Sequence, residues 1–254
     1  MDNSTSRQTA LVTGASYGVG AATALALTRA GFAVAVSARR TENLAQTMVQ
    51  LEATGARVVP LVLDLKSQSS IERAMADVLA TFGRLDLLVN NAGGNLRKLA
   101  VDVAPSDWDA VVATNLRGAF FLSQQVGRHL IANGRPGAIV NIASTHGLVG
   151  AAERSVYGIS KGALIQMTRM LAIEWAAHGI RVNAVAPGRL DTPSPSRAAR
   201  TGDPDYMAAM RARIPLSRLA TAEEVADAVC YLASPQAASI TGQTLVIDGG
   251  MTVA

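Results

Sequence analysis

A hydroxyl, a phenol and an ammonium group fall within one short stretch of this chain, Ser144 to Lys161, STHGLVGAAERSVYGISK. Tyr157 and Lys161 stand four residues apart, which on a helix puts both side chains on one face with Cβ atoms roughly 5–6 Å apart. A tyrosine of ordinary pKa, about 10, is a poor proton carrier at neutral pH, but a lysine held beside it favours the phenolate and lowers that value. The pair therefore reads as a tunable acid/base. The same spacing occurs on ordinary amphipathic helices, so the assignment depends on what else the chain carries. One compositional detail favours a specific role for Lys161. Lysine occurs only at Lys66, Lys98 and Lys161, and arginine supplies nearly all other positive charge. A compact ammonium on a flexible stem reaches a ribose hydroxyl and a phenol together, which a guanidinium fork does not.

The elements that must position these groups follow from hydrophobic rhythm. Short apolar runs alternate with helical patterns: TALVTG, then a helix from about Val19 to Arg29, FAVAVSAR, a helix near Thr41 to Ala53, ARVVPLVLD and a helix from Ser69 to Phe82. LDLLVNNAG, one long helix from about Ser106 to Asn133, GAIVNIAS, the Tyr157 helix and RVNAVAPG continue the pattern. After an irregular segment, Thr221 with Glu224 three residues on forms a capping box, and TLVIDGG is a last strand. Continuous apolar strands separated by amphipathic helices predict an α/β fold, a doubly wound, Rossmann-like parallel sheet of about seven strands with helices on both faces. We expect a single domain over residues 1–254, with 189–215, too long and polar for a plain turn, as a candidate substrate lid.

Composition excludes several function classes. The chain is 49% hydrophobic but only 4% aromatic, so its core is aliphatic. The net charge of +4 is spread over scattered basic residues with no run longer than two, which argues against nucleic-acid binding. Cys230 is the single cysteine and sits in an apolar helical pattern, as expected of a small buried hydrophobe in a reducing cytoplasm. The N-terminus lacks an apolar leader pattern and no stretch reads as membrane-spanning, so a soluble cytoplasmic protein is expected. No His/Cys/Asp cluster has metal-ligand spacing.

The first strand runs into Thr13-Gly14-Ala15-Ser16-Tyr17-Gly18-Val19-Gly20, a glycine-rich turn that opens a helix. Glycines there permit a tight turn and close approach of a pyrophosphate to the helix N-terminus. The absence of Gly-Lys-Ser/Thr argues against a P-loop, and a methyltransferase is the competing nucleotide reading.

The glycine turn, Asn90-Asn91-Ala92-Gly93, Asn115, Ser144, Tyr157-x-x-x-Lys161 and Pro187-Gly188 occur in the order and at about the spacings of the short-chain dehydrogenase/reductase family, which the chain resembles from about residue 9 to 250. The resemblance implies that Tyr157 is the general acid/base and that Lys161 lowers its pKa and binds the nicotinamide ribose. It makes Ser144 the holder of the substrate oxygen and Asn115 the support of a water-mediated proton relay. It also implies cofactor contacts at Gly14, Ser16, Tyr17, Gly18, Val19, Gly20, Asp64, Leu65, Asn91, Ala92, Gly93, Pro187, Gly188, Leu190 and Thr192, besides Tyr157 and Lys161. A homotetramer formed through the Asn115 and Tyr157 helices is carried over in the same way. Redox chemistry would be hydride transfer between a nicotinamide and a carbonyl or secondary alcohol.

Ala38 stands where the family's NAD-binding acidic residue would be, followed by Arg39 and Arg40, which favours NADP(H) over NAD(H). Tyr17 departs from NADP-preferring relatives, which often place a basic residue in that turn. For the substrate, Ser144-Thr145-His146-Gly147-Leu148 is similar to a run in 3-hydroxybutyrate dehydrogenases, where the histidine, a nearby lysine and an amide hold a carboxylate. His146, Arg154 and Asn95 stand at those positions, with arginine replacing lysine. Sugars, polyols, hydroxy or keto acids and oxoacyl groups all stay open as small polar substrates. So do an NAD-linked hydroxy-acid dehydrogenase and a regulator that senses NADP(H) without turnover.

Overall fold

A computed structural model describes residues 7–191 and 204–254. Its strands are β1 (Thr9–Thr13), β2 (Ala33–Ala38), β3 (Val58–Val62), β4 (Leu87–Asn90), β5 (Gly137–Ile142), β6 (Ile180–Pro187), β7 (Leu190–Asp191), β8 (Ala220–Thr221) and β9 (Thr244–Ile247). The helices are α1 (Gly18–Arg29), α2 (Ala45–Glu52), α3 (Gln68–Phe82), α4 (Pro105–Val112), α5 (Ala119–Ala132), α6 (Ser155–Trp175), α7 (Pro204–Arg211) and α8 (Ala222–Ala233). Seven strands form one parallel sheet in the order β3-β2-β1-β4-β5-β6-β9, while β7 and β8 make a separate two-residue ladder.

The sheet is covered on both faces, as continuous apolar strands require. Successive residues of a strand point to opposite faces, so Leu11, Leu88 and Ile139 enter a core with Ile71, Leu122 and Leu164 from α3, α5 and α6. Val12, Val89 and Val140 enter a second core with Ala24 and Leu27 of α1 and Val225 and Val229 of α8. β3 is an edge strand and carries Pro60, a residue that cannot donate to a sheet ladder. Chain order reverses between β1 and β4, so a crevice opens beyond their C-terminal ends, where such folds bind ligands.

Three expectations needed adjustment. The segment from Thr41 begins as a 3-10 turn before α2. The strand in ARVVPLVLD shortens to β3, and just beyond it the Asp64 carboxylate accepts from the Lys66 N–H where the chain turns. The single helix over 106–133 is interrupted by a six-residue π turn, Ala113–Gly118. There a Cβ on Gly118 would lie 2.4 Å from the Leu65 carbonyl oxygen, so this glycine lets the helix press onto the Leu65 backbone. Widened turns of this kind re-aim side chains, and the one re-aimed here is Asn115.

Candidate active site

The glycine turn and the β4 loop meet backbone to backbone. Gly14 has φ +65, and a Cβ on it would lie 2.8 Å from the Ala92 Cα. A Cβ on Gly20 would meet the Gly14 carbonyl oxygen at 2.4 Å and Asn91 Nδ2 at 2.5 Å. The contact is then fastened by polar groups. Asn91 Nδ2 donates to the Thr13 and Gly14 carbonyls at 2.9 and 2.8 Å, while Thr13 Oγ1 accepts from the N–H groups of Asn91 and Ala92, both at 3.0 Å. Tyr17 caps α1 without a side-chain bond, so the first N–H groups of that helix, from Gly18 and Val19 on, have no side-chain acceptor at the cap.

Deeper in the crevice the acid/base candidates converge. Lys161 is buried in α6, its Nζ donating to the Ile142 carbonyl at 2.6 Å and lying 5.9 Å from the centre of the Tyr157 ring. Burial lowers the pKa of this ammonium from 10.5 to about 8. Asn115 is also buried: its Oδ1 accepts from the Gly94 N–H at 2.6 Å, and its Nδ2 donates to the Gly94 carbonyl and to Ser160 Oγ. Ser160 in turn donates to the Tyr157 carbonyl at 2.7 Å, which couples the π turn to the first turn of α6. A Cβ on Gly93 would stand 3.2 Å from Asn115 Oδ1 and 3.5 Å from Lys161 Nζ, so the β4 loop passes close to both. Ser144 follows β5, is buried, and accepts from the His146 N–H at 3.2 Å. The His146 ring lies edge-on to Tyr157, centroids 6.1 Å apart.

A family model described as enoyl-(acyl carrier protein) reductase matches residues 14–252, nearly the whole described fold. The chain belongs to the short-chain dehydrogenase/reductase family. It is 38% identical to 3-oxoacyl-(acyl-carrier-protein) reductase FabG of Thermotoga maritima, over 96% of this chain and 97% of that protein. The structure of a putative short-chain alcohol dehydrogenase from Sinorhizobium meliloti 1021 superposes with TM-score 0.92 at 41% identity, covering 97% of each chain. Actinorhodin polyketide ketoreductase with NADPH gives TM-score 0.92 at 36% identity, covering 98% of each chain.

A short-chain dehydrogenase/reductase uses a nicotinamide dinucleotide, and the residues present fit one. The glycines at 14 and 20 let the turn press onto the β4 loop with no side chain between them, the α1 N-terminus lacks a side-chain cap bond, and a buried ammonium lies close to Gly93. Ser16 lies in the turn, and its carbonyl, with that of Ala15, accepts from Thr47 Oγ1. Asp64 is half-buried and Leu65 buried at the sheet's C-terminal rim. Arg39 and Arg40 are both exposed beyond buried Ala38, which has no group to meet a ribose hydroxyl. Pro187 ends β6, and a Cβ on Gly188 would lie 2.8 Å from Asp248 Cβ. Leu190 lies in β7, and Thr192 is outside the described residues.

The candidate substrate residues join each other. Arg154 Nη1 donates to Asn95 Oδ1 at 2.6 Å, and the neighbouring Glu153, at φ +61, accepts from the Lys98 N–H and pairs with Arg97. His146 Nδ1 is buried and without a hydrogen-bond partner among the described residues. Burial first, then Arg154 and Arg189, lowers the pKa of this imidazole. No group of three metal-binding side chains occurs among the described residues, and no helix among them is long and apolar enough to cross a membrane.

Sequence reasoning missed Ser160, Thr13 and the Ile142 carbonyl as supports of the site. Ser160 directly precedes Lys161 on a helix, where a serine competes with backbone bonding and so signals a local partner. Nothing in the sequence marks the Ile142 carbonyl, because its role arises only where β5 passes under α6.

Proposed function

We propose that this chain is an NADP(H)-dependent oxidoreductase acting on a carbonyl or secondary alcohol of a small polar substrate. The observation that carries this reading is the buried Lys161 ammonium, fixed on the Ile142 carbonyl beside the Tyr157 ring and next to Gly93 of the dinucleotide crevice. When bound, the dinucleotide supplies or takes up the hydride. Tyr157 gives a proton to the carbonyl oxygen or takes one from the alcohol, and the Lys161 charge favours its phenolate form. Ser144 accepts from the His146 N–H, which leaves its own hydroxyl proton to donate where alkoxide charge develops. Asn115, locked on Gly94 and Ser160, holds the β4 loop against α6 and supports a water-mediated path for proton return.

Arg39 and Arg40 support NADP(H): two exposed guanidinium groups beyond a buried alanine suit a 2′-phosphate, and a structural relative was solved with NADPH. Asn95, His146 and Arg154 supply the polar side of the substrate site, and the unpartnered His146 Nδ1 supports a polar ligand there. The chain works as a single catalytic domain; of the 189–215 segment expected to form its lid, residues 192–203 lie outside the described residues. Exposed Ile159, Met170 and Ile173 on α6 and Phe120 on α5 support a homotetramer through these helices, and Cys230 suits a reducing cytoplasm.

An NADPH- and NADP-linked screen over sugars, hydroxy and keto acids, oxoacyl thioesters and cyclic ketones tests the reading, with Tyr157→Phe in parallel. Turnover by the native chain and a loss of at least about 10²-fold in Tyr157→Phe, with NADPH binding retained, is expected. Tight NADPH binding with no turnover on any class would make the chain a dinucleotide sensor instead.

A further inference from the structure

The seam between the Ser144–Leu148 loop and α6 is made of glycine. A Cβ on Gly147 would lie 2.7 Å from the Lys161 carbonyl carbon, 2.8 Å from the Gly162 nitrogen and 2.9 Å from the Lys161 oxygen. These are backbone atoms inside a helix, and they do not swing aside as the end of a side chain does. A Cβ on Gly158 would lie 2.8 Å from the His146 carbonyl oxygen. Neither glycine has a positive φ, so what each provides is room and not an unusual backbone conformation.

The loop carried onto the helix by this seam bears Ser144 and His146, and the helix bears Tyr157 and Lys161. Ser144 Oγ is tied to the His146 N–H, and the His146 carbonyl rests where a Gly158 side chain would be. The separation across the seam therefore sets where the Ser144 hydroxyl stands relative to the Tyr157 phenol. We infer that Gly147 and Gly158 are positioning residues that hold the hydroxyl of Ser144 and the ring of His146 against Tyr157 by letting loop and helix touch through their backbones. This inference rests on the roles proposed above for Ser144 and Tyr157.

The same chain offers a graded test. A Cβ on Gly162 would meet the Gly147 carbonyl oxygen at 3.4 Å and its Cα at 4.0 Å, both ordinary contacts, and one on Gly150, in the loop just beyond, would meet nothing within 4 Å. Gly150→Ala, Gly162→Ala, Gly158→Ala and Gly147→Ala are compared with native protein for kcat, its pH dependence and NADPH affinity, using the panel substrate of highest turnover. Gly150→Ala keeps native kcat and Gly162→Ala stays within about threefold, while Gly158→Ala and Gly147→Ala lose roughly 10–100-fold, because misplacement of about 1 Å has that effect. NADPH affinity is retained in Gly158→Ala, whose new Cβ meets the His146 carbonyl and not the Lys161 backbone. The midpoint of the kcat–pH profile moves upward in the two damaging variants as Ser144 leaves the phenol. A partial loss of folded protein would lower amplitude without moving that midpoint.

Gly158→Ala also adds a good helix former in the first turns of α6, so it stays folded if Gly147→Ala does not. Folded Gly158→Ala with native kcat and midpoint, beside an inactive Tyr157→Phe, would overturn the seam. An active Tyr157→Phe would overturn the underlying catalytic reading instead.

Discussion

Lys161 Nζ reaches across from α6 to the carbonyl of Ile142, the last residue of β5, at 2.6 Å, and the side chain is only 4% exposed there. A carbonyl dipole does not balance a full charge, and burial lowers the ammonium pKa from 10.5 to about 8. The folded value lies below the unfolded one, so between these pH values the unfolded chain binds more protons and stability rises with pH. Below pH 8 the full cost is present, on the order of 3 kcal/mol. Lys161→Met is therefore expected to be at least as stable as native dinucleotide-free protein at pH 7, with the difference shrinking towards pH 10. Thermal melts of both across that range measure it. Activity should fall sharply, because the phenol loses its neighbouring charge.

Cofactor choice is expected to reside in Arg39 and Arg40. Charge-assisted hydrogen bonds contribute about 1.5–3 kcal/mol. Arg39→Ala/Arg40→Ala should thus lose roughly 10–100-fold in kcat/KM for NADPH with little change for NADH. Adding Ala38→Asp should raise NADH use by providing a ribose 2′-OH acceptor. Steady-state kinetics with both dinucleotides decide this, and an unchanged NADPH preference in the double variant would move the determinant elsewhere.

On the substrate side, Arg154 is held by Asn95 at 2.6 Å next to Glu153 in a left-handed conformation. Arg154→Met should raise KM about 10-fold or more for substrates with a carboxylate, with NADPH affinity unchanged and kcat less affected than KM. Equal kinetics on charged and uncharged substrates would exclude Arg154 from recognition.

Away from the crevice, Thr221 Oγ1 accepts from the Glu224 N–H at 3.2 Å, and the Glu224 carboxylate accepts from the Thr221 N–H at 2.9 Å. Arg218 beside it and the Thr221 N–H bring the Glu224 carboxyl down to about 2. Thr221→Ala should cost about 1 kcal/mol, seen as a fall of roughly 2–4 °C in Tm, with activity per folded molecule retained.

The capping box was legible because it is local: two side chains and two N–H groups from residues three positions apart. The same holds for the buried strands, whose apolar runs require cover on both faces, and for Tyr157 and Lys161, whose spacing alone puts them on one helical face. The chain by itself thus determined the alternation of elements, the layered fold and the residue types of the site. Tertiary structure decided what those residues touch. Asn115 reaches Gly94 only because the π turn at Ala113–Gly118 interrupts a helix that reads as continuous in sequence. Asn95 and Arg154, 59 positions apart, meet only because β4 and β5 lie side by side. The glycines of the seam read as ordinary loop and helix residues until the chain folds back on itself and brings the facing backbone to within 3 Å of where their Cβ atoms would be. Periodicity and propensity act over a few residues, whereas these contacts depend on which elements the sheet order makes neighbours.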